Sequence, residues 1–326
     1  MPRQAHLLPA VLGIGLSLLS APTASVAETI PRVGVLAPHA VASAVQLGLR
    51  EALSELGYLE GKNLIIEWRQ VGGSVEEARP AVADLLRAKV DLIVAPSSLA
   101  ARAALDATKI VPILFASGDP VATGLVASLA RPGGNATGLS VASPELTAKR
   151  LELLRQIKPR ARRILYLRNP APPIGPPLLK EAQRAARTLG MQLELVEAGS
   201  ARELEGALGM IQRSTADGAL VAGDLTFLLY KAKIVRALNK ARLPAVYQWR
   251  EYHDHGALMS YGPSWKNDVG RRLAVYIDRI LNGAKPSELP VEEVSKQDLI
   301  IDLRIARELG LEVPQALLLR ADEVLR

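Results

Sequence analysis

Short apolar runs alternate with longer amphipathic stretches along most of the chain. Runs of about four to eight residues rich in Val, Ile and Leu predict buried strands, whereas apolar residues at every third or fourth position predict helices. Strands are predicted over 32–37, 63–70, 91–95, 111–116 and 136–141 in the first half, and over 163–167, 192–196, 219–222, 245–249 and 257–261 in the second.

Helices are predicted between these strands. Two capping boxes mark helix starts, Ser74 with Glu77 and Ser200 with Glu203, because Ser followed three residues later by Glu satisfies free backbone N–H groups. The predicted helices cover 41–56, 74–89, 143–157 (with Ser143 as its cap), 177–189, 227–241, 266–281, 305–309 and 314–325.

The strand–helix order occurs twice at similar spacing, which predicts an α/β protein with two doubly wound lobes. Too few elements follow residue 256 to make a third domain, so we expect them to complete the earlier sheets. We predict a first lobe of residues 28–142 plus about 257–290. The second lobe would then contain residues 143–256 plus about 291–326.

The first 27 residues have the pattern of a secretory signal peptide. About 13 apolar residues follow Arg3, which is too few to span a bilayer, and the small-x-small sequence ending at Ala27 fits a cleavage site. We therefore predict cleavage after Ala27 and a mature chain that begins at Glu28 and is not inserted in the membrane.

Composition narrows the function further. Apolar residues make up 49% of the chain and charged residues 22%, as in folded globular proteins. The net charge is +7, but no block of five Lys or Arg occurs and aromatics are only 4%, so we expect no nucleic-acid partner. The chain has no Cys, hence no disulfide and no lipidated cysteine after the leader. We predict a free periplasmic protein, not a lipoprotein.

Polar side chains are concentrated directly after the predicted strands. The carboxyl ends of parallel strands are where ligands bind in open α/β sheets, so we expect these side chains to face a cleft between the lobes. Each could also be an ordinary helix cap or turn residue. The candidate ligand-binding residues are His39, Ser97, Ser98, Asp119, Asn169, Asp224 and Tyr261.

No catalytic or metal-binding pattern stands out. Segment 253–255, His-Asp-His with Glu251 nearby, lacks the helical i, i+4 spacing of a metal-binding His pair, so we expect a polar loop. Phosphate-binding and nucleophile-elbow motifs are absent from the sequence. We predict binding without catalysis, with no catalytic residue, no metal site and no cofactor.

Several segments resemble the ABC transporter substrate-binding proteins of the family that includes tryptophan- and tyrosine-binding members. The most specific is GLVASLARPGGN over 124–135. The others are VGVL at 33–36, LGY at 56–58, EGKN at 60–63, GDPV at 118–121, KRLELL at 149–154, LMSYG at 258–262 and RADEV at 320–324.

The resemblance implies a type I periplasmic-binding fold: two Rossmann-like lobes joined by three hinge crossovers that close on a small ligand. It also implies an ABC permease and an ATPase as partners. We expect a monomer that traps a small polar ligand, such as an amino acid or small organic acid. The alternatives are a sensory module of the same fold and a periplasmic enzyme.

Overall fold

The computed structural model describes residues 30–39, 42–72, 74–142, 144–172 and 174–326. The predicted leader with its cleavage site, and the helix cap predicted at Ser143, lie outside the described residues. Within the described part of the chain, no helix has the length and apolar character needed to cross a bilayer.

The first sheet contains the predicted strands of the N-terminal half and one late strand. Its order is β11-β5-β4-β3-β1-β2, and every neighbouring pair is parallel. The elements are β1 (Arg32–Pro38), α1 (Ala42–Glu55), β2 (Ile65–Val71), α2 (Val75–Arg87), β3 (Leu92–Ala95), α3 (Ser98–Ala107), β4 (Ile113–Gly118), β5 (Ala136–Ala142), α9 (Arg271–Leu281) and β11 (Glu292–Glu293).

The second sheet has the order β13-β12-β10-β9-β8-β6-β7, with only β10 and β12 antiparallel. Its lobe comprises α4 (Pro144–Ile157), β6 (Arg163–Arg168), α5 (Gly175–Thr188), β7 (Gln192–Glu197), α6 (Ala201–Arg213), β8 (Gly218–Val221), α7 (Leu225–Leu229), α8 (Lys231–Lys240), β9 (Ala245–Tyr247), β10 (Met259–Gly262), β12 (Asp298–Asp302), α10 (Leu303–Glu308), α11 (Gln315–Leu318) and β13 (Glu323–Leu325).

Helices cover both faces of each sheet. In the first lobe α2 and α3 pack together on one face, while α1 and α9 pack on the other. Alternate side chains of the strands enter different cores, as the pleat requires. Val94 of β3 belongs to the core beneath α1 and α9, whereas its neighbour Ile93 belongs to the core beneath α2 and α3.

The chain crosses between the two lobes three times: from β5 to α4, from β10 to α9, and from β11 to β12. The predicted fold of two doubly wound lobes with three crossovers is therefore confirmed.

Local sequence signals act as expected. The Ser74 hydroxyl accepts a hydrogen bond from the Glu77 N–H at 3.1 Å, and the Ser200 hydroxyl accepts one from the Glu203 N–H at 3.3 Å. The Glu203 carboxylate also reaches back and accepts the Gly199 N–H at 2.7 Å, one residue before the N-cap Ser200.

Two strands lie in the opposite sheet from the one expected. Strand β10 falls in the segment predicted for the first lobe, but it pairs with β9 and β12 of the second sheet. Strand β11 was expected in the second lobe and instead pairs with β5. Both lie beside crossovers, where strand pairing across the sheet, not the local pattern, determines the lobe.

Three predicted helices also differ. The helix expected over 227–241 is divided at Tyr230 into α7 and α8, and the one expected over 266–281 begins with a π-helical turn, Trp265–Gly270, before α9. The terminal helix predicted over 314–325 is wrong. Only α11 is helical there, because residues 323–325 form β13 against β12.

Candidate functional site

Both sheets reverse their strand order at a switch point, between β1 and β3 in the first lobe and between β6 and β8 in the second. Ligands of doubly wound folds bind at this point, outside the carboxyl ends of the strands. Candidates from both lobes stand there: His39 follows β1, Ser97 and Ser98 follow β3, Asn169 follows β6 and Asp224 follows β8.

In the second lobe the structure joins Asn169 to Asp224. The Asn169 amide donates from Nδ2 to Asp224 Oδ2 at 3.0 Å, and its Oδ1 accepts the Ala171 N–H at 3.0 Å. Asp224 Oδ1 accepts the N–H groups of Thr226 at 2.9 Å and Phe227 at 3.3 Å, so Asp224 also caps α7. Residues 55 apart in sequence therefore form one polar group at the switch point.

Burial raises the pKa of the Asp224 carboxyl, while hydrogen bonds from Asn169, Phe227 and Thr226 act in the opposite direction. The group is half-buried and has no ion pair within the described residues. A carboxylate held in this way favours a cationic or hydrogen-bond-donating ligand group, since such a group offsets the loss of solvation.

In the first lobe the structure joins Ser98 to a residue of the neighbouring strand. The hydroxyl oxygens of Ser98 and Ser117 lie 2.5 Å apart, and Ser117 also donates to the Gly118 carbonyl at 3.0 Å. Ser97 is the N-cap of α3 and accepts the Ala100 N–H at 3.1 Å. These hydroxyls lie at the start of a helix, where the macrodipole favours an anionic group.

Asp119 has an unusual backbone conformation. Its φ is +25°, a positive value that L side chains rarely adopt, and its carboxylate accepts the Ala122 N–H at 2.9 Å. Backbone strain of this kind costs on the order of 1–3 kcal/mol and tends to occur at functional sites. Asp119 follows β4, which lies beside β3, the strand that precedes Ser97 and Ser98.

The remaining candidates make fewer contacts. His39 is exposed in the turn after β1, and Tyr261 is half-buried within β10. The Tyr261 carbonyl accepts a hydrogen bond from Arg150 Nε at 2.8 Å. Among the described residues, no hydrogen bond joins the candidates of the first lobe to those of the second.

Sequence reasoning did not single out three buried polar residues near these strand ends: Ser117, Gln248 and Arg150. Gln248 follows β9 and packs so closely on Gly223 that a Cβ at Gly223 would lie 1.9 Å from its Oε1. A polar residue directly after an apolar strand was the available signal for Gln248. Nothing in the sequence indicates that Arg150, on helix α4, is buried; burial lowers its pKa to about 10.

Tyr252 lies near the Asp224 carboxylate, and three further aromatic side chains, Tyr247, Trp249 and Trp265, belong to the same core. Tyr252, whose pKa is raised chiefly by burial and also by the charge of Asp224, stacks on Tyr247 with ring centroids 4.6 Å apart. The Trp249 and Trp265 rings are 5.9 Å apart and tilted by 58°. All four side chains are buried, and within the described residues their hydroxyl and indole N–H groups have no hydrogen-bond partner.

The segment around His253 is not the polar loop expected. Residues Arg250–His255 form a 3₁₀ helix, in which His253 Nε2 lies 3.0 Å from the Ser260 hydroxyl. Burial lowers the pKa of His253 to about 4, so the imidazole is neutral at pH 7. The described ranges contain no group of three His, Asp or Glu side chains that could hold a metal ion.

A family model described as "ABC transporter substrate binding protein" matches residues 32–325. A tyrosine-binding protein of Clostridioides difficile (strain R20291) is 26% identical over 273 residues, covering 83% of this chain and 77% of its relative.

Solved structures agree with this match. The ABC domain from Streptococcus pneumonia in complex with L-Trp is 25% identical, with a TM-score of 0.84 over 91% of this chain and 100% of that one. A conserved domain protein from Vibrio cholerae is 29% identical, with the same TM-score and the same coverage.

Proposed function

The chain belongs to the ABC transporter substrate-binding protein family, and we propose that it captures an amino acid between its two lobes for import. A ligand-binding role follows from the family match. The observation that carries the choice of ligand is the Asp224–Asn169 pair at the switch point of the second sheet.

An anionic acceptor in one lobe and hydrogen-bond donors in the other suit the two ends of an α-amino acid. The Asp224 carboxylate is an acceptor for the ligand's ammonium group. The hydroxyls of Ser97 and Ser98, at the N-terminus of α3, suit its carboxylate. Asp119, Tyr261 and His39 complete the proposed set of contacts. Closure of the lobes would place the ligand between the two groups.

We propose that the ligand has a large, flat side chain. The Tyr247 and Tyr252 rings stack on each other and are fully buried, so no free ring face carries this choice. Relatives support this choice, since one is a tyrosine-binding protein and another holds L-Trp. We propose tryptophan or tyrosine as the first ligands to test.

Members of such transport systems work outside the cytoplasm. We propose that the chain is exported through its apolar leader, cleaved after Ala27, and released unlipidated into the periplasm, where it delivers ligand to an ABC permease driven by an ATPase. We propose lobes of residues 30–142 with 265–293 and residues 144–262 with 298–326. Sheet pairing supports these boundaries.

Thermal unfolding in the presence of individual amino acids tests the proposal. A ligand that binds only the folded protein stabilises it by RT ln(1 + [L]/Kd), about 2.7 kcal/mol at a hundredfold excess over Kd. We expect L-tryptophan or L-tyrosine to raise the unfolding temperature and glycine to leave it unchanged. If none of the amino acids raises the unfolding temperature, the proposed ligand class is wrong.

A further inference from the structure

The amino ends of the strands of the second sheet, opposite the candidate site, have a strong positive charge. Four connections lead into the amino ends of neighbouring strands β7, β6, β8 and β9, and we call them together the basic edge: residues 158–163, 187–192, 213–218 and 240–245. Its basic residues are Lys158, Arg160, Arg162, Arg163, Arg187, Arg213, Lys240 and Arg242.

This edge accounts for the net charge of the whole chain. Eight of the 40 Lys and Arg and one of the 33 Asp and Glu lie there, so the edge has a formal charge of +7 and the rest of the chain is neutral. The excess of positive charge is therefore confined to one end of one lobe.

Hydrogen bonds between the connections show that they form one surface. The Gln192 N–H donates to the Arg162 carbonyl at 2.7 Å, and the Asp217 N–H donates to the Arg163 carbonyl at 2.7 Å. The Ala219 N–H, one residue past the third segment, donates to the Pro244 carbonyl at 2.8 Å. The single carboxylate, Asp217, accepts the backbone N–H groups of Arg162 at 2.7 Å and Arg163 at 2.9 Å. Four strands about 4.8 Å apart make this surface about 15 Å wide.

Most cationic side chains of the basic edge are open to a partner; among the described residues only Arg163 and Arg242 donate to backbone carbonyls, those of Thr215 and Glu308. Lys158 is half-buried and the other seven residues are exposed, and none of the eight forms an ion pair with a carboxylate of the described residues. Some surface bases elsewhere do form ion pairs, as Lys233 does with Glu205, so the basic edge differs in having none among its eight.

Helix capping explains only part of this charge. Arg187, Arg213 and Lys240 lie in the last turns of α5, α6 and α8, where a cation complements the helix dipole. The other five lie outside those last turns. Helices α1 and α3 end without any basic side chain in the last turn, so the fold does not demand one.

We propose that the basic edge binds an anionic phospholipid surface. The edge is made of short connections between helices and strands, with no separate helix or β-ribbon among these segments to enter a nucleic-acid groove. Its four segments contain no aromatic residue on which a base could stack. Several Lys and Arg on one face are attracted to anionic lipid, each adding roughly a fivefold gain in affinity. This inference rests on the proposed function, because a protein that delivers ligand to a membrane permease works beside a membrane.

Vesicle sedimentation tests this proposal with the protein recovered after export from its host. We expect binding to vesicles of equal parts phosphatidylcholine and phosphatidylglycerol, and none to phosphatidylcholine alone. The variant Arg160→Gln/Arg187→Gln/Arg213→Gln should bind roughly a hundredfold more weakly. Salt of about 0.5 M, where the Debye length is about 4 Å, should abolish binding.

A matched control keeps the same net charge change away from this surface: Arg79→Gln/Arg131→Gln/Arg236→Gln, three exposed residues outside the basic edge. We expect the control to bind vesicles like the wild type. Equal losses in both variants, or retention of duplex DNA without vesicle binding, would overturn the proposal. Calorimetry with L-tryptophan and L-tyrosine separates it from the proposed function, since vesicle binding can persist where neither amino acid binds.

Discussion

Replacing Asp224 by Asn removes a charge from the candidate site while keeping its shape. In the wild type, Oδ1 caps α7 through the N–H groups of Thr226 and Phe227, and Asn is an equally good cap. The other oxygen accepts the Asn169 amide, and losing that hydrogen bond costs about 1 kcal/mol. Removal of a half-buried charge, whose pKa burial raises, offsets this cost. We expect the free energy of unfolding to change by less than about 1 kcal/mol.

Ligand affinity should respond much more strongly. A hydrogen bond between charged groups contributes about 1.5–3 kcal/mol, so losing the carboxylate should raise the Kd for an amino acid by roughly 10- to 150-fold. In the wild type, affinity should also decrease as the pH falls through the raised pKa of Asp224, because the protonated carboxyl no longer attracts an ammonium group.

Asp217→Asn is the matched control, since Asp217 lies at the amino end of β8, whereas Asp224 follows its carboxyl end. Its carboxylate accepts two backbone N–H groups, which lower its pKa, so the charge itself stabilises the fold. We expect this variant to lose about 1–2 kcal/mol of stability and to keep its affinity. Calorimetry with L-tryptophan and L-tyrosine, alongside urea unfolding, measures both quantities. A Kd within about twofold of the wild type in Asp224→Asn would refute the assigned role.

Two further predictions concern stability. Burial lowers the pKa of His253 to about 4, below the 6.5 of an unfolded chain, so its contribution is complete above pH 6.5 and is lost as the pH falls toward 4. In urea unfolding, the free energy of unfolding of the wild type should fall by about 2 kcal/mol between pH 7 and 5 because of this group. The fall should be smaller by this amount in His253→Gln. Equal falls in the two proteins would contradict the reasoning. Gly48→Ala should destabilise, because its Cβ would lie 2.2 Å from the Lys266 carbonyl oxygen, whereas Gly206→Ala in α6 meets nothing within 4 Å and should stabilise by about 0.5–1 kcal/mol. Stabilisation by both substitutions would show that α1 can move away from residue 266.

Sequence patterns predicted the central strands well because strands such as β3 and β8 are continuous apolar runs buried along their whole length. They failed where pairing is decided by distant residues. Strand β12 was not foreseen and β13 was taken for a helix, although each forms hydrogen bonds with the other in the second sheet. The apolar spacing of 314–325 fits a helix equally well, so only the presence of β12 selects the strand.

The candidate site was also only partly predictable from the sequence. Position after a strand was sufficient to select Asn169 and Asp224, and the structure brings them together because β6 and β8 are neighbours. Strand order is not written in any local pattern, so their contact could not be foreseen. Ser117 also follows a predicted strand, but its burial and its contact with Ser98 could not be predicted, since a buried serine there is indistinguishable in sequence from a turn residue.

The candidate site and the basic edge lie at opposite ends of the same strands, so their charges act independently. Arg163 and Asn169 stand at the two ends of β6, six residues apart, or about 20 Å at about 3.3 Å per residue. This exceeds two Debye lengths at physiological salt, about 8 Å each. Neutralising three arginines of the basic edge should therefore leave the electrostatic attraction at Asp224 nearly unchanged. A parallel change of vesicle binding and amino-acid affinity in the same variant would mean that the two ends are coupled through the fold itself, since the direct field is screened over this distance.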